Sequence, residues 1–80
     1  MKTVYIDVVR EVTAARFSKI KEVVAKEALN NPDFCGYDLQ VRLGDYTCAE
    51  QDEVSEKSAG ALVRLVRRIG CIASGECESA

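Results

Sequence analysis

The apolar residues of this chain switch three times between a period of two and a period of about 3.6, and few folds accept that pattern. Over residues 3–10, TVYIDVVR, the residues Val4, Ile6 and Val8 fall on one side and Tyr5, Asp7 and Val9 on the other. That alternation, rich in β-branched residues, predicts a strand. Over 14–29, AARFSKIKEVVAKEAL, the step changes: Phe17, Ile20, Val24 and Ala28 recur at three- and four-residue intervals and form one stripe of a helix. Alternation returns over 37–43, YDLQVRL, which sets Tyr37, Leu39, Val41 and Leu43 against Asp38, Gln40 and Arg42. Helical spacing returns over 50–69, with Val54, Ser58, Ala61, Leu62, Leu65 and Ile69 along one side.

The residues between these segments act as punctuation. Thr13 suits an N-cap, with Val12 and Phe17 at the flanking staple positions; Ser18 is a rival cap. Asn30, Asn31 and Pro32 stop the first helix, because Asn tolerates a left-handed position and Pro cannot continue the ladder. Gly44 and Asp45 end the second strand, and DYTCAE after it is either a short returning strand or a loop. Thr47 and Glu50 have capping-box spacing for the second helix, with Ser55 as the alternative start, and Gly70 is placed to stop it. Residues 72–80 are small and polar and are expected to fray. The expectation is one α+β domain over 1–80. Two amphipathic helices lie on one face of a small sheet, in the order β-α-β-α with room for one extra short strand. Val4, Ile6, Val8, Leu39, Val41 and Leu43 are expected under the helices.

Chemistry is conspicuous by what is missing. The chain has no histidine, which removes the commonest general base and the Ser-His and Cys-His nucleophile pairs. Its five glycines are scattered and form no phosphate loop, and no carboxylate pair sits in an apolar setting. The expected class is therefore non-enzymatic, with no cofactor and no metal. Cys35, Cys48, Cys71 and Cys77 contain no C-x-x-C, so zinc and thioredoxin-like motifs are not indicated. No apolar run approaches ~20 residues, and the N-terminus lacks the apolar core of a signal peptide, so a cytoplasmic protein with no membrane contact is expected. The cysteines are then thiols by default, although a Cys71–Cys77 bridge is sterically open.

Charge is unevenly distributed. Residues 1–30 carry six basic and four acidic side chains, residues 31–60 two and seven, and residues 61–80 three and two. The acids gather at Asp45, Glu50, Asp52, Glu53 and Glu56. Read structurally, they complement the dipole at the start of the second helix, and Arg64, Arg67 and Arg68 do so at its end. Read functionally, they form an anionic surface that competes for a basic, nucleic-acid-binding groove. Direct nucleic-acid binding is disfavoured by a pI near 5.1; if it occurs, Arg64, Arg67 and Arg68 carry it.

The segment Asn31 to Val41, NPDFCGYDLQV, adds a second line of argument. Asn31, Pro32, Asp33, Phe34, Gly36, Tyr37, Asp38 and Val41 resemble a turn-and-strand segment of small phage-type anti-CRISPR proteins. Cys35 departs from it, where the pattern has a further glycine. The resemblance implies a short, cofactor-free protein that occupies a surface of a CRISPR effector complex and blocks DNA binding, with the five acids as contacts. Two other readings stand beside it: a dimeric nucleic-acid-binding regulator or antitoxin-like module, and a metabolite-binding α/β regulatory domain with its ligand between sheet and helices. A homodimer is expected through the outer side of the second helix. There Gly60 and Val63 would meet their copies, and Glu56 would face Arg67 of the other chain.

Overall fold

The computed structural model describes residues 2–75. The elements run β1 (Lys2–Val9), α1 (Ala14–Asn30), a single 3₁₀ turn (Pro32–Phe34), β2 (Tyr37–Gly44), β3 (Cys48–Ala49) and α2 (Glu56–Ser74). The three strands form one mixed sheet in the order β2-β1-β3. β1 and β2 are parallel, in register from Lys2 opposite Tyr37 to Val9 opposite Gly44. A parallel pair needs a crossover, and α1 supplies it. β3 is the extra short strand. It pairs antiparallel with β1 through Ile6–Ala49 and Asp7–Cys48.

Because β1 is central, one row of its side chains is closed off completely. Val4, Ile6 and Val8 are buried, together with Ile20 and Val24 of α1, Phe34 of the turn, and Ala61, Leu62, Leu65, Ile69 and Ile72 of α2. Both helices lie on this face, and the odd-numbered face of β1 is left open. β2 is an edge strand. Leu39 and Val41 are therefore only half-buried, and Leu43, expected under the helices, is 45% exposed. An edge strand has a neighbour on one flank only, so helix cover cannot close both sides of it.

The start of α1 follows the sequence closely. Thr13 Oγ1 accepts the Arg16 N–H at 3.2 Å, and Val12 and Phe17 pack at the rim of the core. Its end is different from the expectation. Asn31 is extended, with φ −98° and ψ 113°, rather than left-handed. Its side chain accepts the Asp33 N–H at 3.0 Å and so caps the turn that follows, whose first position is Pro32.

α2 corrects the sequence reading at both ends. Thr47 and Glu50 are not its capping box: Thr47 Oγ1 accepts the Val9 N–H, and Ser55 is the N-cap, accepting from Ser58 N. Gly70 lies inside the helix, which runs on to Ser74 and ends at Gly75 with φ 82°. The tail expected to fray from residue 72 thus begins inside α2, where Ile72 is buried; residues 76–80 lie outside the described residues.

Candidate interaction surface

The five acids all lie on the connection that leads from the end of β2 through β3 into α2. Only Glu56 belongs to the first turn of that helix, so the dipole account covers one acid and not five. The arginine half of that account fails too. With the helix extended to Ser74, its last turn has no basic residue, and Arg64, Arg67 and Arg68 lie along its middle.

The connection runs back along β1 and spaces the acids out. Asp45 meets Arg10, just past one end of β1, with Oδ1 3.6 Å from Nε. The Glu50 N–H donates to the Tyr5 carbonyl at mid-strand. Glu53 meets Lys2 at the other end. At about 3.3 Å per residue the row is roughly 25 Å long. The Asp45 and Glu53 side chains are 82% and 78% exposed, so both pairs are screened by water and contribute little to stability. Asp52 and Glu56 are exposed, with no ion pair to either among the described residues. Lys2, beside Glu53, hydrogen-bonds its carboxylate and holds its pKa below the ordinary value. Glu53 also takes a left-handed backbone, φ 63°, which is uncommon for a residue with a side chain.

The open face of the sheet has a centre of its own. Arg42 donates through Nε to Asp7 at 2.5 Å and through Nη2 to Glu50 at 3.2 Å. Its guanidinium carbon lies 4.3 Å from the centroid of the Tyr5 ring, a cation–π stack. Nothing in the one-dimensional pattern marks this cluster. It exists because the parallel register puts Arg42 opposite Asp7, and the antiparallel arm brings Glu50 from the far flank.

The outer stripe of α2 carries Glu56, Gly60, Val63 and Arg67 on its exposed side. Val63 is 38% exposed, and a Cβ on Gly60 would meet only Arg64, at 3.9 Å. Glu53 is in the loop before the helix. Arg64 and Arg68 sit apart from Arg67. They border a cleft of about 230 Å³ between α1 and α2. Arg68 also borders an adjoining cleft of about 390 Å³ with Lys19, Lys26 and Glu22. Arg68 is 3.5 Å from Glu27, which tempers the basic character. The space between sheet and helices, expected to hold a ligand in the metabolite reading, is filled by Ile6, Ile20, Leu62 and Ile69.

The NPDF segment proves to be structural in its detail. Phe34 is 2% exposed, the Asp33 carbonyl accepts from Ser58 Oγ at 2.6 Å, and the Tyr37 hydroxyl accepts the Ser55 N–H at 3.2 Å. That N–H stabilises the phenolate and lowers the Tyr37 pKa.

Cys35 and Cys48 are exposed thiols. The Cys71–Cys77 bridge involves a residue outside those described. Among the described residues no cluster of three His, Cys, Asp or Glu could hold a metal ion, and no helix is long and apolar enough to cross a membrane. No protein-family model, curated protein or solved structure matches this chain.

Proposed function

We propose that this protein is a non-enzymatic inhibitor that binds another protein through its acidic edge. The observation that carries the reading is that Asp45, Glu50, Asp52, Glu53 and Glu56 are all exposed on the connection into α2, which from Asp45 to Glu53 follows β1 for about 25 Å. The intramolecular pairs to Arg10, Arg42 and Lys2 do not oppose it. They are weak, solvent-screened contacts that a basic partner surface can exchange for its own. A basic groove that normally holds nucleic-acid phosphates is the surface such a row complements. The likeness of Asn31–Val41 to anti-CRISPR proteins supplies the target class, a CRISPR effector complex whose DNA binding is blocked.

Pull-down against purified effector complexes, with DNA binding measured alongside, tests the reading. The wild type is expected to bind and to displace DNA. Asp52→Lys with Glu56→Lys, at two exposed sites, is expected to lose both effects while the fold persists. Indifference of every complex at micromolar concentration removes the reading.

A second reading has one observation in its favour. Lys19, Lys26, Arg64 and Arg68 border adjoining clefts along the helix pair, which suits contact with phosphates. It requires salt-sensitive binding to DNA or RNA, and a gel shift at low salt decides it.

A further inference from the structure

We propose that the free edge of β2 is a homodimer interface, at which β2 pairs antiparallel with β2 of a second copy, centred on Gln40. This inference is independent of the inhibitor reading. It starts from which backbone groups are already used. Lys2 N–H donates to the Gly36 carbonyl, and Arg10 N–H donates to the Gly44 carbonyl. In a parallel ladder such bonds fall on every second residue of the partner strand. The even-numbered residues from 36 to 44 therefore turn their amides toward β1. Tyr37, Leu39, Val41 and Leu43 turn theirs outward, along an edge that has no strand beside it among the described residues.

The strand carries neither of the commonest edge-blocking residues. Tyr37–Gly44 is eight residues long, without proline, lysine or an interruption of its alternation. Edges of this kind recruit another strand unless they are blocked. Apolar side chains beside it are also exposed. Leu43 is 45% exposed at one end of the strand. At the other end is Leu29, near the close of α1, 86% exposed. Between them a cleft of about 290 Å³ is bordered by Lys21, Ala25, Leu39 and Val41.

The sequence of the strand selects the occupant. About a two-fold axis at Gln40, Tyr37 pairs with Leu43 of the other copy and Leu39 with Val41. These are the outward-turned residues, so the parity required for hydrogen-bonded pairs is met. On the open face the same axis sets Asp38 against Arg42, twice, and Gln40 against itself. Opposite charges directly across a strand pair are favourable. Arg42 uses Nε and Nη2 within its own chain, which leaves Nη1 without a partner among the described residues. Shifting the axis to Leu39 or Val41 keeps the parity but loses both charge matches. α1 runs back from the end of β1 to the start of β2, so the axis also brings Leu29 to the end where Leu43 of the other copy lies. The product is one continuous sheet of six strands with all four helices on one face. Such a self-complementary patch is what a closed two-fold dimer uses.

The test is sedimentation equilibrium of the full chain, with circular dichroism to verify folding. The wild type is expected to be a dimer. Asp38→Arg, which turns both cross-strand pairs into repulsions, and Leu43→Lys are each expected to weaken it roughly tenfold or more. A Gln40→Cys variant, in a background with the four native cysteines changed to Ser, is expected to form a covalent dimer under mild oxidation. Non-hydrogen-bonded antiparallel partners stand ~4.5 Å apart at Cα, within disulfide range. A wild type monomeric at every concentration overturns the proposal. So does a dimer that ignores both β2 variants but dissociates with Val63→Glu, because the contact is then on α2.

Discussion

Ser58 Oγ donates to the Asp33 carbonyl at 2.6 Å and accepts from Ser55 Oγ at 2.9 Å. Ser58 is 3% exposed and is the one buried polar residue among those described. Through it the N-terminus of α2 is fastened to the turn that links α1 with β2. The helix reaches that turn only after the acidic connection has travelled the length of β1. Ser58→Ala removes the donor to Asp33 and should cost about 1–3 kcal/mol, the usual penalty for stranding a buried partner. Urea denaturation reads this directly, and a change below about 0.5 kcal/mol would show that the carbonyl finds water instead.

Gly44 is held to its size by Asp7. A Cβ at residue 44 would lie 2.9 Å from Asp7 Oδ2 and 3.0 Å from both Cβ and Cγ. Asp7 is itself tied to Arg42, so it has little freedom to move aside. Gly44→Ala is expected to destabilise by about 1–3 kcal/mol. In an Asp7→Gly background the same change should cost clearly less, and that non-additivity identifies the contact. Equal costs in both backgrounds would mean the strain lies in the backbone.

The two glycines near the end of α2 should respond in opposite directions. Gly70 is inside the helix, and among the described residues open space lies where a Cβ would stand, so Gly70→Ala should stabilise by about 0.5–1 kcal/mol. Gly75 sits at φ 82° and caps the helix, its N–H donating to the Ile72 carbonyl. Gly75→Ala should cost about 1–2 kcal/mol, the price of a left-handed L-residue. Thermal melts of the two variants check this, and a loss from Gly70→Ala would place the helix end where the sequence alone suggested.

Lys2 holds the Glu53 carboxyl below its ordinary value of 4.5. A group with a depressed folded pKa stabilises above its unfolded pKa, and that contribution disappears as the pH falls through the folded value. The expectation is therefore a small loss of stability on acidification below about pH 4.5. Lys2→Ala should abolish it. NMR titration should find Glu53 below an ordinary glutamate in the wild type and restored in the variant. An unmoved Glu53 would mean the pair does not persist in solution.

Element types and the core row of β1 can be read from residue periodicity alone. Period two and period 3.6 leave little choice of element type. Val4, Ile6 and Val8 are where alternation placed them, and the stripe from Ser58 to Ile69 is where helical spacing placed it. Thr13 was legible as a cap because capping is a local interaction among four residues. The start of α2 was not. Thr47 with Glu50, and Ser55, offered competing local signals. The choice fell to a distant contact: β3 takes residues 48–49 as a partner for β1, and Asp33 and Tyr37 receive the Ser55–Ser58 turn. Strand order was likewise beyond local reading. Alternation shows which residues share a face but not which strand is central, so the exposure of Leu43 and the open edge of β2 emerge only once β1 takes the middle. The acidic cluster illustrates the same division. Its charges are plain in the sequence, yet their distribution along β1 and their pairing with Lys2, Arg10 and Arg42 arise from tertiary structure. Coulombic partners are chosen by distance in space, and sequence separation does not encode that distance.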